Sequence, residues 1–206
     1  ADEQSLGSID FNKIIPMPES LKIECGSNTD KGLKAFTDFT QVYTLAGTRE
    51  DADIENIPKE AEKAFLRIRS DITPEQWSLG KLAYENQCKY GVPTWYEWSI
   101  NNWGTKWNAY ECAPNEFSDN STELNFWTAW APPHPVLQML SEQYPELEIF
   151  HEWADEDIGM NCGRREYKSG DLIYEYYPEG DEATAFACGL WGLDPSEETN
   201  SPVMEM

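Results

Sequence analysis

Hydrophobic positions along this 206-residue chain change their spacing near residue 107. Before that point the period is helical. Lys31 to Leu45 carries Leu33, Phe36, Thr40 and Tyr43 near one face, and Pro58 to Arg69 turns Ala61, Phe65 and Ile68 inward behind a first-turn proline. Thr73-Pro74-Glu75-Gln76 has the T-x-x-Q form of a capping box. It opens a helix with Leu79, Leu82, Ala83 and Tyr90 at helical spacing and Gly91 as its stop. Thr94-Trp95-Tyr96-Glu97 is a second box, followed by Tyr96, Ile100 and Trp103 along one face and by Gly104.

Beyond Trp107 the period falls to two. Trp107 to Cys112 and Leu124 to Trp130 read as a hairpin, ended by Pro132-Pro133. His134 to Tyr144 reads as a short helix burying Val136, Leu137, Leu140 and Tyr144. Leu147 to Trp153 alternates, with Leu147, Ile149, His151 and Trp153 on one side and Glu148, Phe150 and Glu152 on the other. Met160 to Lys168 and Asp171 to Tyr177 are expected strands around Ser169-Gly170, and Asp181 to Leu190 a terminal helix. Phe11 to Pro18, broken by two prolines, suits an edge strand or a packed loop.

This order predicts an α+β chain. From Thr73 on it is that of a ferredoxin-like split βαβ antiparallel sheet with helices on one face, extra C-terminal strands and an N-terminal helical insertion. Phe11 to Ile15 would supply the missing first strand. One domain is expected over 1–206: 11–18 as edge strand or packed loop, 19–72 as helical embellishment, 73–193 as ferredoxin-like core and 194–206 as acidic tail. Residues 1–10 read as a lead-in, and the initial Ala points to a segment upstream.

Charge changes the picture more than composition does. The formal balance is 15 − 38 = −23, and between Trp107 and Gly163 eleven acidic residues meet no Lys or Arg. Lys31 to Lys89 is nearly balanced, with nine basic and ten acidic residues. A field of that sign repels phosphate backbones and attracts basic surfaces. The plainer reading is that the acid keeps the chain soluble. Five scattered cysteines with no C-x-x-C fit neither a disulfide framework nor a zinc spacing, so reduced thiols and a cytoplasmic location are expected. The longest apolar stretch, Ala185 to Leu193, is too short to cross a bilayer, and no basic n-region opens the chain. Asn120-Ser121-Thr122 has the form of a glycosylation acceptor but, with no secretory route in view, reads as loop.

Four segments together carry a resemblance. They are D-F-N-K-I-I-P-M-P-E (Asp10 to Glu19), G-V-P-T-W-Y-E-W-S-I-N-N-W-G-T-K-W (Gly91 to Trp107), T-A-W-A-P-P (Thr128 to Pro133) and A-D-E-D-I-G-M-N-C-G-R (Ala154 to Arg164). In this order they resemble the YubB-like family of phage and plasmid proteins over Asp10 to Tyr167. The resemblance implies a ferredoxin-like domain and no established reaction. Members open with an extra strand and helix before the Asp10-type segment, which this chain lacks. The motif residues Thr94, Trp95, Tyr96, Trp98, Trp103, Gly104, Lys106 and Trp107 are expected to be structural.

Trp95, Trp98, Trp103 and Trp107 crowd into thirteen residues. A stacking platform for nucleic acid would sit among basic residues, and here Lys106 is alone, so core filling is the expectation. His151, Glu152, Asp155, Glu156 and Asp157 form the densest ligand-capable cluster. Asp155 and Asp157 lack the rest of a calcium loop, so an acidic turn between strands is expected and no metal. The candidate binding residues are Glu152, Asp155, Glu156, Asp157, Asn161 and Arg164. Asn161 and Gly163 are read as turn or bulge residues that tolerate positive φ, and Arg164 as a partner of the carboxylates. Only His134 and His151 are candidate neutral-pH bases, with Cys162 the one thiol near either in sequence. No phosphate loop or dinucleotide fingerprint is present.

The function expected is a non-enzymatic interaction module, with no cofactor. Its acidic face would engage a basic, nucleic-acid-handling host protein in an anti-defence or DNA-mimic role, with no direct nucleic acid and no membrane. The alternative is a metal- or thiol-dependent enzyme centred on His151, Asp155, Asp157 and Cys162. A third reading, a nucleic-acid-binding module, requires exposed sheet aromatics with basic neighbours.

Overall fold

A computed structural model describes residues 9–47, 57–111 and 123–195. The Arg49 to Glu55 loop, Cys112, Asn120-Ser121-Thr122 and most of the lead-in and tail lie outside them. The chain is α+β and divides into two compact units, Met17–Trp98 and the residues up to Pro16 together with Ser99 onward. No helix among the described residues is long and apolar enough to cross a membrane.

The described elements of residues 17–98 are helices. Helices α2 (Ser27–Gly47), α3 (Lys59–Ile68) and α4 (Pro74–Tyr90) enclose a cluster of Ala35, Phe36, Phe39, Ile72 and Trp77, with Phe65 and Tyr84 against it. Helix α4, placed by its sequence in the 73–193 core, belongs to this unit because Trp77, Gly80 and Ala83 face α2. The Thr73 box forms in full, and Gly91 closes the helix at φ +78°. The buried side of α3 runs through Ala61, Phe65 and Leu66, which turns Ile68, expected inward, 80 % exposed to solvent. Asn86 is buried and satisfied: Nδ2 donates to the Ser20 and Pro93 carbonyls, and Oδ1 accepts from Ser20 Oγ.

Helix α5 (Trp95–Trp103) buries Trp98, Ser99 and Trp103, while Ile100, expected inward, is exposed. Gly104 then stops the helix in the left-handed region at φ +81°.

The other unit holds the sheet. Phe11–Ile14 is a helical turn, α1, rather than a first strand. Asp10 caps it, Phe11 N donates to Asn108 Oδ1 at 2.8 Å, and the buried Phe11 ring packs edge-on against Trp103 and Phe126. Among the described residues the expected hairpin shows one antiparallel bridge, Tyr110 to Trp127. Helix α6 (His134–Gln143) buries Val136, Leu137 and Ser141. Its Tyr144, expected inside, lies past the last turn and is exposed.

Strands β1 (Glu148–Trp153), β2 (Gly163–Lys168) and β3 (Asp171–Tyr176) form an antiparallel sheet in that order. Ser169 and Gly170 both have positive φ, the requirement of a tight two-residue turn whose twist matches the strands. Ile149, His151 and Trp153 face inward as their alternation predicts, and His134 Nδ1 of α6 meets Tyr167 Oη at 3.1 Å. Gly163 serves space rather than φ: a Cβ there would stand 2.7 Å from the Tyr176 carbonyl and 2.8 Å from the Trp153 ring. Helix α7 (Asp181–Trp191) packs Ala183 and Ala187 on Cys162.

Candidate functional site

The segment 128–133 turns sharply, and three consecutive carbonyls on it are held by side chains. Thr105 Oγ1 donates to Ala129 O at 2.8 Å, Asn161 Nδ2 to Trp130 O at 3.3 Å and Thr128 Oγ1 to Ala131 O at 3.0 Å. Trp130 at the apex has φ +69°, a left-handed conformation that is a strain for so large a residue, and is 65 % exposed. Asn161, φ +38°, takes the positive φ its residue type tolerates.

This turn forms one wall of an open cleft of about 800 Å³. Trp107, Trp127, Trp130, Trp153 and Trp191 line it, as do Glu123, Glu152, Asp155 and Glu156. No Lys or Arg is among its lining residues. Trp127 and Trp191 meet edge to face at 5.0 Å, and Trp191 Nε1 donates to the Asp155 carbonyl at 3.0 Å, which ties α7 to the acidic turn. Trp107, expected in the core with its neighbours, is instead 43 % exposed, whereas Trp98 and Trp103 are buried.

The predicted binding residues divide around this cleft. Glu152, Asp155, Glu156 and Asn161 line it; Asp157 and Arg164 do not. Asp155 Oδ1 accepts from Asp157 N at 3.0 Å, so the acidic turn is an Asx turn. Among the described residues no Lys or Arg pairs with Asp155, Glu156 or Asp157, while Glu152 pairs with Arg164 and Glu148 with Lys168. Of the motif residues, Thr94 is buried and donates to Glu97 Oε2 at 2.7 Å, and Trp95 meets Tyr96 edge-on.

A histidine pair stands at the cleft, both rings half-buried and His151 among the lining residues. His151 stacks on Trp153 at 5.2 Å and meets His134 edge-on at 5.6 Å. Burial, then the neighbouring His134 and Arg165, pushes His151 down to about 3; burial, then Arg165, pushes His134 down to about 4. Both rings are neutral at pH 7. His151 Nδ1 and Trp153 Nε1 are buried without a hydrogen-bond partner among the described residues.

Of the residues in the reactive-centre alternative, His151 and Asp155 line the cleft, whereas Asp157 and Cys162 do not. Cys162 is turned into the α7 cluster, its thiol shifted up by burial and its Sγ 3.7 Å from the Ala183 carbonyl. Among the described residues no three His, Cys, Asp or Glu side chains stand where they could share a metal ion. The open sheet face does carry exposed aromatics, Phe150 and Tyr174, but its cations Arg164 and Lys168 are held by Glu152 and Glu148.

No curated protein and no solved structure matches the chain. Residues 103–200, just under half of the chain, match a family model described as a ferredoxin-like domain in Api92-like protein. That segment begins at the end of α5 and takes in the cleft, the sheet and α7, so the match and the α+β architecture agree on a ferredoxin-like domain, in a family whose description names a fold and no reaction.

Proposed function

We propose that this chain is a non-enzymatic interaction module whose aromatic cleft receives a basic segment of a partner protein. One observation carries the reading: five tryptophans and four carboxylates line a single cleft from which Lys and Arg are absent. Aromatic faces and carboxylates both favour a cation, the first through the ring quadrupole and the second through charge. A phosphate-bearing ligand meets repulsion at the same place. The basic partner is of the kind that itself holds nucleic acid, in keeping with the phage and plasmid resemblance of the motif segments, and the site of action is the cytoplasm.

Fluorescence anisotropy with a labelled nona-arginine peptide and with a labelled DNA duplex tests this. The peptide binds at low salt and is released as ionic strength rises through about 0.15 M, where charges are screened beyond about 8 Å. The duplex is not retained. Retention of the duplex with no peptide binding would reverse the reading.

A further inference from the structure

One ammonium already lies on two of the indoles that line the cleft, although Lys106 is not itself among the lining residues. Lys106 Nζ lies over the Trp107 ring at 4.6 Å and over the Trp130 ring at 4.2 Å from their centres. Two exposed indoles on one cation is how proteins recognise ammonium groups. The backbone beneath is held by hydrogen bonds. Trp130 has a left-handed φ, and Thr105, Asn161 and Thr128 hold the carbonyls at and on either side of it. Ring burial does not explain the strain, since the Trp130 indole is more exposed than those of Trp107 and Trp127. Lys106 is also the one Lys or Arg between Lys89 and Arg164.

Resting on the basic-partner reading, we infer that Trp107 and Trp130 form a clamp for an ammonium or guanidinium group and that Lys106 is its internal occupant. A Lys or Arg side chain of the partner displaces Lys106 and takes its place between the rings. The partner's gain at this position is then the difference between two cations on the same indoles. Affinity is held down by the occupant. Arg is preferred over Lys, because a planar guanidinium stacks on an indole face and is more weakly hydrated than an ammonium.

The test uses the full chain and the labelled nona-arginine probe at low salt. Lys106→Met keeps the stem and removes the occupant, so binding tightens about fivefold. Lys34→Met removes the same charge from α2 and changes binding less than about twofold, as expected for a site outside the clamp. Lys106→Arg retains an occupant and gives no gain. Adding Trp130→Ala to Lys106→Met abolishes the gain. Without any variant, the wild-type chain binds nona-arginine about threefold tighter than nona-lysine.

If wild type binds the probe but Lys106→Met is no tighter than Lys34→Met, the clamp is overturned and the basic-partner reading stands. Equal affinity for the two peptides also overturns it. Binding by neither wild type nor Lys106→Met removes both readings together.

Discussion

Trp130 concentrates the trade between stability and recognition in one residue. A left-handed backbone costs a side chain with a Cβ roughly 1–2 kcal/mol, a penalty that glycine escapes. Trp130→Gly relieves that strain and loses the ring's contact with Lys106. Its unfolding free energy is expected to stay within about 1 kcal/mol of wild type or to rise, while the nona-arginine peptide binds more weakly, by up to about fivefold. Denaturant titration beside anisotropy reads both; a large loss of stability with binding intact would contradict the role given to the ring. The sequence showed part of this turn. Asn161 announced a positive φ because asparagine tolerates it, whereas Trp130 is of no such type, and two of the three donors that hold its turn, Thr105 and Asn161, lie far from it in sequence.

His151 gives the second test at this scale. Free histidine titrates near 6.5, and burial lowers His151 to about 3 and His134 to about 4. The unfolded chain therefore takes up protons that the folded chain refuses. The stability carried by these neutral rings is whole above pH 6.5 and is lost as pH falls through the folded values, at about 1.4 kcal/mol per pH unit for each ring. His151→Phe keeps an aromatic on Trp153 and removes the unpartnered Nδ1. Between pH 6 and 4.5 its stability is expected to fall less steeply than that of wild type, by about one histidine's share. Parallel slopes would show that His151 takes up no proton on unfolding in that range.

Among the elements, the crossing of α2 and α4 leaves no room for a side chain. A Cβ at Gly80 would stand 2.1 Å from Gly32 C, and one at Gly32 would stand 1.9 Å from the Gln76 carbonyl oxygen. Gly80→Ala gains up to about 1 kcal/mol in helix propensity yet is expected to lose at least 1–3 kcal/mol overall, because the backbones must part. A thermal melt followed by circular dichroism checks the sign. Helices α3 and α4 were legible because their signals are local: a capping box and first-turn proline in α4, a proline just ahead of α3, and a 3.6-residue period in both. The Phe11 turn was not, since apolar residues beside prolines suit an edge strand equally well. What decides it is Asn108, nearly a hundred residues away, bonded to both Phe11 N and Asp10 Oδ1. The first hairpin was legible only in part for a related reason: alternation fixes which face a residue takes, not how many rungs form, and among the described residues one bridge, Tyr110 to Trp127, forms.

For the whole molecule, charge was readable from the chain and the site was not. The gap in basic residues from Trp107 to Gly163 is visible in the sequence, and four of its carboxylates line the cleft. The convergence of Trp107 and Trp127 with Trp191 depends on α7 returning to the acidic turn, which no periodicity announces. The most direct test observes the nine indole N–H signals in a nitrogen-15 correlation spectrum as nona-arginine peptide is added. Signals of Trp107, Trp127, Trp130, Trp153 and Trp191 are expected to shift together and saturate, while Trp77, Trp95, Trp98 and Trp103 stay in place. Shifts confined to the second group, or none at a peptide concentration that saturates binding, would contradict the account.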